Sequence, residues 1–181
     1  MLGWNKGNFL NSKKIFISIV LLCVLSGLAY AVHFWWNLGN GVGYSPNQPI
    51  PFSHKIHAGD NHIPCLYCHV GADKGRHAQV PSMNVCMNCH SVVKPDSPWI
   101  QKLKDQYQKG QPIEWIKVHD EPDFVFFNHR PHIAKGIACE TCHGDVKNMS
   151  KIQQVEPLNM GFCVTCHKAK GAPLDCYTCH N

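Results

Sequence analysis

Ten of the eleven cysteines in this 181-residue chain occur in pairs separated by two residues, and histidine follows each pair directly. This C-x-x-C-H pattern is the attachment signature of c-type haem. The two thiols reach the two vinyl groups of one porphyrin, and the adjacent histidine is delivered to the iron as proximal ligand. The predicted thioether residues are Cys65, Cys68, Cys86, Cys89, Cys139, Cys142, Cys163, Cys166, Cys176 and Cys179, and the predicted proximal ligands are His69, His90, His143, His167 and His180. The sequence therefore predicts five haem c groups.

A disulfide framework and zinc sites are the alternative interpretations of so many cysteines. An odd count fits a disulfide scheme poorly, and the eleventh cysteine, Cys23, stands apart in an apolar run. A zinc site would draw its four ligands from two C-x-x-C pairs, which leaves five identically placed histidines unexplained. We therefore expect haem attachment at every motif, and no cysteine remains for a disulfide.

Each haem iron also needs a second axial ligand or an open position. Two histidine pairs at spacing i, i+3 recur in the same sequence context, F-x-H-x-x-H. Because members of such a pair lie about one helical turn apart on one face, they cannot bind one iron from the same side. Each pair is expected to serve two different haems that lie close together. The predicted distal ligands are His54, His57, His119, His129 and His132, with His77 and Met160 as alternatives; a His/Met haem would have the higher potential.

The motifs are organised by an internal duplication. Both halves read F-x-H-x-x-H, a short spacer and I-x-C-x-x-C-H, followed by a second motif with Met three residues before its first cysteine. We expect a pentahaem domain over 52–181, made of diheme repeats 52–90 and 127–167, a connector 91–126 and a fifth haem segment 168–181. In the connector, Ser97 and Pro98 predict the start of a helix and Gly110 its end, with Trp99, Leu103 and Tyr107 on the packed face.

The fold class follows from how little chain is available for each haem. Residues 37–181 number 145, which is 29 for each of five motifs. So short a chain cannot build five separate pockets, so the porphyrins must supply much of the apolar core, with thioethers acting as covalent staples. We expect a multihaem cytochrome c fold in which short helices and loops wrap a five-haem core, with little or no sheet.

A membrane anchor is predicted at the N-terminus. Residues 15–36 contain no Asp, Glu, Lys or Arg, and 22 residues rise about 33 Å as a helix, which spans one hydrocarbon core. Trp35 and Trp36 end the run where an aromatic belt is expected, and residues 1–14 carry lysines but no acid. The positive-inside rule places 1–14 in the cytoplasm and the chain beyond the 37–51 linker outside it. The alternative is a signal peptide cleaved near Ala29-Tyr30-Ala31, but the apolar run continues past that site.

The formal charge of +5 does not indicate a nucleic-acid partner. Five haems bring about ten propionates, only partly offset by the ferric iron, so the assembled protein is close to neutral when oxidised. We expect no nucleic acid among its partners.

Several stretches resemble the membrane-anchored pentahaem cytochrome subunit of alternative complex III, a bacterial quinol:electron acceptor oxidoreductase, and more broadly the multihaem class III cytochromes c. These stretches are PFSHKIHAG, CLYCHVGA, PSMNVCMNCH, VHDEPDFVFFNHRPHIAKGIACETCHG and MGFCVTCHK. The resemblance implies a single-pass protein of the bacterial inner membrane with a periplasmic haem domain. It implies as partners an iron–sulfur subunit, polytopic quinol-binding subunits and a monohaem cytochrome c subunit.

Three functions compete. The first is a relay subunit, with no catalytic residues and no enzymatic activity of its own, that passes electrons from quinol oxidation to a periplasmic cytochrome or terminal oxidase. The second is a stand-alone anchored multihaem quinol dehydrogenase. The third is a multihaem reductase enzyme, which needs an open iron position and often an altered motif such as C-x-x-C-K. Because all five motifs end in histidine and candidate ligands outnumber the haems, the residues favour the relay subunit.

Overall fold

The structure is a computed structural model that describes residues 6–180, with side chains described for 12–35 and 38–180. The chain divides into two units at Gly39/Asn40. In the first unit, helix α1 (Lys6–Asn37) is long and apolar enough over Ser12–Trp35 to cross a membrane. The apolar helix expected at the N-terminus is therefore present. Residues 1–5, part of the predicted cytoplasmic segment, and the side chain of Trp36, half of the predicted aromatic belt, lie outside the described residues.

The second unit is built from short helices joined by turns, and no β-strand occurs within residues 6–180. This confirms the expected helical fold with little or no sheet. Its elements are a π-helix (Lys55–Asp60), α2 (Cys65–Cys68), α3 (Met83–His90), α4 (Pro98–Gln108), α5 (His129–Ala134), α6 (Glu140–His143), a 3-10 turn (Val146–Asn148), α7 (Met160–Lys170) and α8 (Cys176–Cys179).

Every attachment motif lies on a helix, which places its two cysteines about one turn apart on the same side. In the first, third and fifth motifs that helix is a single turn (α2, α6 and α8), whereas α3 and α7 carry the second and fourth motifs at their middles or ends. Helix α7 begins where the Asn159 side chain accepts a hydrogen bond from the amide of Phe162, at 2.9 Å. It ends at Gly171, whose φ of 63° is the left-handed conformation typical of a helix C-terminus.

The predicted connector helix is confirmed as α4, which begins at Pro98 after Ser97 and ends before Gly110. The prediction for its packed face is wrong in part. Leu103 is buried with Ile50 and Ile113 in one small cluster, but Trp99 and Tyr107 are 47% and 41% exposed. This cluster is only wide enough to cover the middle of the helix, where α4 packs beside α3.

The side-chain core is small. The fully buried hydrophobic residues of the described chain are Ile50, Ala72, Leu103, Ile113 and Val118. The largest fully buried side chain is polar: Gln154, at 2% exposure, donates from Nε2 to the carbonyls of Asn40 (3.0 Å) and Glu156 (2.9 Å). Burial of this carboxamide is tolerated because its hydrogen-bonding groups have partners.

An extended arm, residues 113–118, leads to His119 and is held by side-chain amides rather than by a sheet. Gln48 accepts from the amide of Ile116 and donates to its carbonyl, both at 2.9 Å. Further along, the Oε1 of Gln154 accepts from the amide of Asp120 at 3.4 Å. Two glutamines distant in sequence therefore fix the backbone on both sides of His119.

Candidate haem-binding site

Seven histidines share one hydrogen-bonding arrangement, in which ring Nδ1 lies 2.6–3.1 Å from a backbone carbonyl oxygen. A carbonyl can only accept, so Nδ1 must carry the proton, which leaves the lone pair of Nε2 free for a metal. Histidine ligands of metals are oriented in this way. The seven, with the residue that supplies each carbonyl, are His57 (Ser53), His69 (Gln79), His90 (Val93), His129 (Arg76), His132 (Asn128), His167 (Pro173) and His180 (Phe124).

Two of these carbonyls come from strained backbone. Gln79 and Phe124 have φ values of 66° and 67°, the left-handed region that non-glycine residues rarely adopt. Such a conformation costs on the order of 1–2 kcal/mol. Each of the two carbonyls accepts from a histidine that directly follows a C-x-x-C pair, so the strained backbone aims a carbonyl at a predicted proximal ligand.

Three predicted distal histidines face predicted proximal histidines across a regular gap. The ring centroids of His57 and His90 are 6.1 Å apart, and those of His132 and His167 are 6.0 Å apart. His129 and His143 lie at 6.3 Å, with their rings nearly parallel at 5°. In each case the distal residue comes from a helical turn that precedes the motif it faces.

This gap fits a metal held between two imidazoles. A metal–nitrogen bond of about 2 Å, and about 1.1 Å from nitrogen to ring centroid, place two imidazoles on opposite sides of one ion about 6.2 Å apart. Among the described residues no three or more His, Cys, Asp or Glu side chains converge on one point. The arrangement offers two ligands per ion, which suits an iron whose other positions are filled by a porphyrin.

His119, His143 and His54 form a second group, half-buried and without a carbonyl partner at Nδ1. His119 lies edge-on against His143 with ring centroids 4.4 Å apart, too close for the two to hold one metal between them. Its Nε2 is buried with no hydrogen-bond partner, as is Nδ1 of His54. Burial lowers the pKa of His54 and of His143 to about 4 and also lowers that of His119, so these imidazoles are neutral. A neutral imidazole with an unpartnered buried nitrogen is a competent metal ligand.

The first and fifth motifs are arranged differently from the other three. Neither His180 nor His69 makes a ring contact with another histidine in the described part of the chain. Met160 is 67% exposed at the start of α7. His77 follows Arg76, whose guanidinium lies 4.8 Å from the ring centroid of Phe126.

All eleven cysteines of the chain are unpaired. Seven motif cysteines are half-buried, and the other three, Cys89, Cys139 and Cys176, are exposed. Burial raises the pKa of five of the motif thiols. These are Cys68, Cys86, Cys139, Cys142 and Cys163.

Several residues that shape the site have no recognisable sequence signal. Arg76 and Gln154 are single polar residues in loops, and their backbone or side-chain bonds to the histidine segments depend on tertiary folding. The strained backbone at Gln79 and Phe124 could not be predicted from the sequence either, because neither residue type favours positive φ. Only Asn128, directly before His129, could be read as a helix N-cap, and its side chain does accept from the amide of Arg130 at 3.1 Å.

Comparison with known proteins agrees with this chemistry. Residues 125–181 match the model of the family described as cytochrome c7 and related cytochrome c. A protein of Nitratidesulfovibrio vulgaris named "menaquinone reductase, multiheme cytochrome c subunit" is 29% identical over 182 residues, which cover 85% of this chain and 87% of the relative. The chain therefore has the multihaem cytochrome c fold, binds haem c covalently and functions in electron transport.

Proposed function

We propose that this protein is the pentahaem electron-transfer subunit of a membrane-bound respiratory complex of the alternative complex III kind, which oxidises quinol. It relays electrons to a periplasmic cytochrome or a terminal oxidase and has no catalytic residues of its own. The observation that carries the relay role is the set of three histidine pairs at 6.0–6.3 Å, each facing a different motif. Irons with two histidine ligands exchange electrons but offer no open position to a substrate.

All five motifs are proposed to attach haem c through their paired cysteines, with the following histidine as proximal ligand. Bound haem supplies one-electron redox chemistry. The chain's own part is to orient the imidazoles, and for seven of them it does so through a backbone carbonyl that accepts from Nδ1–H. We assign His57 to the second motif, His129 to the third and His132 to the fourth.

The distal ligand of the first motif is one of two half-buried histidines, His54 or His119. Burial is the main reason that the pKa of His54 is lowered. The neighbouring histidines that lower it further include His69 and His119. Since His129 already faces His143, either His54 or His119 is left for the first motif. Replacing each by alanine decides between them, because only loss of the true ligand creates a five-coordinate, high-spin iron.

For the fifth motif the assignment is His77. Arg76 stacks on Phe126, and the amide of Phe126 donates to the carbonyl of Cys179 at 2.8 Å. This chain of contacts brings the segment of His77 to the fifth motif, whereas Met160 is a largely exposed side chain. A His77→Ala variant is expected to convert one haem to high spin, while Met160→Ala leaves the spectrum unchanged.

The proposed setting is the bacterial inner membrane. Helix α1 spans it once, with Lys13 and Lys14 on the cytoplasmic side, and the haem domain lies in the periplasm. The proposed partners are an iron–sulfur subunit, polytopic quinol-binding subunits and a monohaem cytochrome c subunit.

A second candidate differs in the direction of electron flow. The relative from Nitratidesulfovibrio vulgaris is named a subunit of a menaquinone reductase, so this chain would then feed electrons into the quinone pool. A haem chain conducts both ways, and the attached subunits decide the net direction.

Purification from native membranes in mild detergent tests these proposals. We expect the chain to co-purify with an iron–sulfur protein and a polytopic membrane protein, and menaquinol to reduce its haems faster than a reduced periplasmic cytochrome does. Faster reduction by the cytochrome would favour the menaquinone-reducing alternative. Recovery of this chain alone, with full quinol oxidation, would contradict the relay-subunit role in favour of a stand-alone dehydrogenase.

A further inference from the structure

The five motifs do not follow one another in space as they do in sequence. The second and first motifs are joined by a hydrogen bond between their intervening residues: Nδ2 of Asn88 donates to the hydroxyl of Tyr67 at 3.0 Å. This bond places the two motifs side by side.

On its other side, the first motif lies next to the third motif, which belongs to the other repeat. The loop after the first motif holds histidines of both: the carbonyl of Gln79 accepts from Nδ1 of His69, and the carbonyl of Arg76 accepts from Nδ1 of His129, which faces the third motif. This shared loop is the junction between the two diheme repeats.

The third and fourth motifs are linked by helix α5. His129 and His132 lie one turn apart on this helix, and they face His143 and His167 respectively.

The fourth and fifth motifs are linked through the segment before α5. The amide of Phe126 donates to the carbonyl of Cys179 at 2.8 Å. The next residue, Phe127, packs its ring 4.7 Å from that of His132, the residue that faces the fourth motif.

We propose that the attachment motifs form one unbranched row in the spatial order second, first, third, fourth, fifth, with the second and fifth motifs at its ends. This deepens the proposed function, on which it rests for the five haems and their ligands. The donor and the acceptor of electrons in the complex then contact the two ends of the row. The first motif of the sequence is an interior member of the row.

The two ends are built differently. The second motif sits against the protein's apolar cluster, in which Cys86 and Met87 pack on Ile50, Leu103 and Ile113. At the fifth motif, Tyr177 between the two cysteines and Phe124, whose carbonyl holds His180, are each 84% exposed.

Two equivalent variants of the full-length holoprotein test the order. His57→Ala and His132→Ala remove the distal ligand of the second and the fourth motif, each at the same position of its repeat. Each creates one high-spin ferric iron, whose larger magnetic moment broadens the low-spin resonances of adjacent irons in electron paramagnetic resonance spectra. The row predicts that His57→Ala broadens one of the four remaining signals and His132→Ala broadens two.

Two broadened signals in His57→Ala would overturn the row in favour of the sequence order, and one in His132→Ala would remove the fourth motif from its interior. If His57→Ala produces no high-spin iron, the pairing of His57 with His90 is wrong, and the placement of the second motif at the end of the row is contradicted as well. Fewer than five haems in the unmodified protein would instead contradict the proposed function. Should the alanine variants not accumulate, His57→Met and His132→Met keep a sixth ligand and raise the reduction potential of one haem. In a redox titration, the row then predicts a shifted potential for one neighbouring haem in His57→Met and for two in His132→Met.

Discussion

The two diheme repeats agree at their outer histidines and differ at their inner ones. In both repeats the second histidine of F-x-H-x-x-H, His57 or His132, bonds through Nδ1 to the carbonyl four residues earlier and faces the repeat's second motif. The first histidine does not behave alike: Nδ1 of His129 bonds to the carbonyl of Arg76 at 2.6 Å, whereas that of His54 is buried without a partner.

The difference shows which parts of the ligand set depend on local sequence. A bond to a carbonyl four residues away forms wherever the chain makes the same turn, even though one turn is the π-helix Lys55–Asp60 and the other the α-helix His129–Ala134. The inner histidines lie where the repeats meet, and there the loop after the first motif gives His129 the carbonyl of Arg76, whereas Nδ1 of His54 has no partner. Duplication therefore preserves the outer sites, and the junction makes the inner sites unequal.

The largest expected effect comes from removing a haem at this junction. Cys139→Ala with Cys142→Ala removes the attachment of the third motif, which the proposed row places between the first and fourth motifs. We expect an intact mass lower by one haem and a several-fold loss of folded protein, because a porphyrin at the junction supplies apolar core to both repeats.

The matched variant is Cys176→Ala with Cys179→Ala at the fifth motif, and Cys23→Ala serves as control. The fifth-motif variant is expected to lose one haem while the remaining four keep their low-spin spectrum, and the control to keep all five. Equal yields from the junction and fifth-motif variants would contradict the unequal roles of inner and end motifs.

A smaller effect tests how the second repeat holds the linker. A Cβ at Gly41 would lie 2.7–2.9 Å from the carboxamide of Gln154, and Gly43 has the same left-handed backbone with nothing within 4 Å. Both alanine variants pay on the order of 1 kcal/mol for positive φ. Gly41→Ala must in addition displace a buried, hydrogen-bonded carboxamide, at a further cost of about 1–3 kcal/mol.

Thermal unfolding of the two variants measures the difference. We expect the melting temperature of Gly41→Ala to fall clearly below that of Gly43→Ala. Equal melting temperatures would mean that the Gln154 carboxamide moves aside freely, and that it does not fix the arm of His119.

The smallest effect concerns the residues that begin the two equivalent turns. Asn128→Ala removes the side-chain cap of α5, a loss of about 1 kcal/mol. Ser53→Ala removes a longer bond, 3.3 Å from the amide of Ile56, and should cost less. Because the backbone carbonyls of both residues are kept, neither variant should change the spectra of the second and fourth haems. A larger loss for Ser53→Ala in chemical unfolding would reverse this ranking.

The sequence alone predicted the features whose signals are local. The helix at Pro98–Gln108 followed from its capping residues, the apolar helix α1 from an uncharged run, and haem c chemistry from the spacing of cysteines and histidines. The pairing of histidines across 6 Å gaps could not be read, because residues such as His129 and His143 meet only after the loops between them fold. The exposure of Trp99 and Tyr107 was missed for the same reason. Helical periodicity predicts which side of a helix is apolar, but it does not predict how much of that side the rest of the protein covers.

The intact mass of the purified chain and its electron paramagnetic resonance spectrum in the ferric state together test whether every motif holds a six-coordinate haem iron. We expect five covalently attached haems per chain, all low-spin. A mass with fewer than five haems, or a substantial high-spin signal in the resting protein, would contradict the claim that five motifs each hold a six-coordinate haem iron.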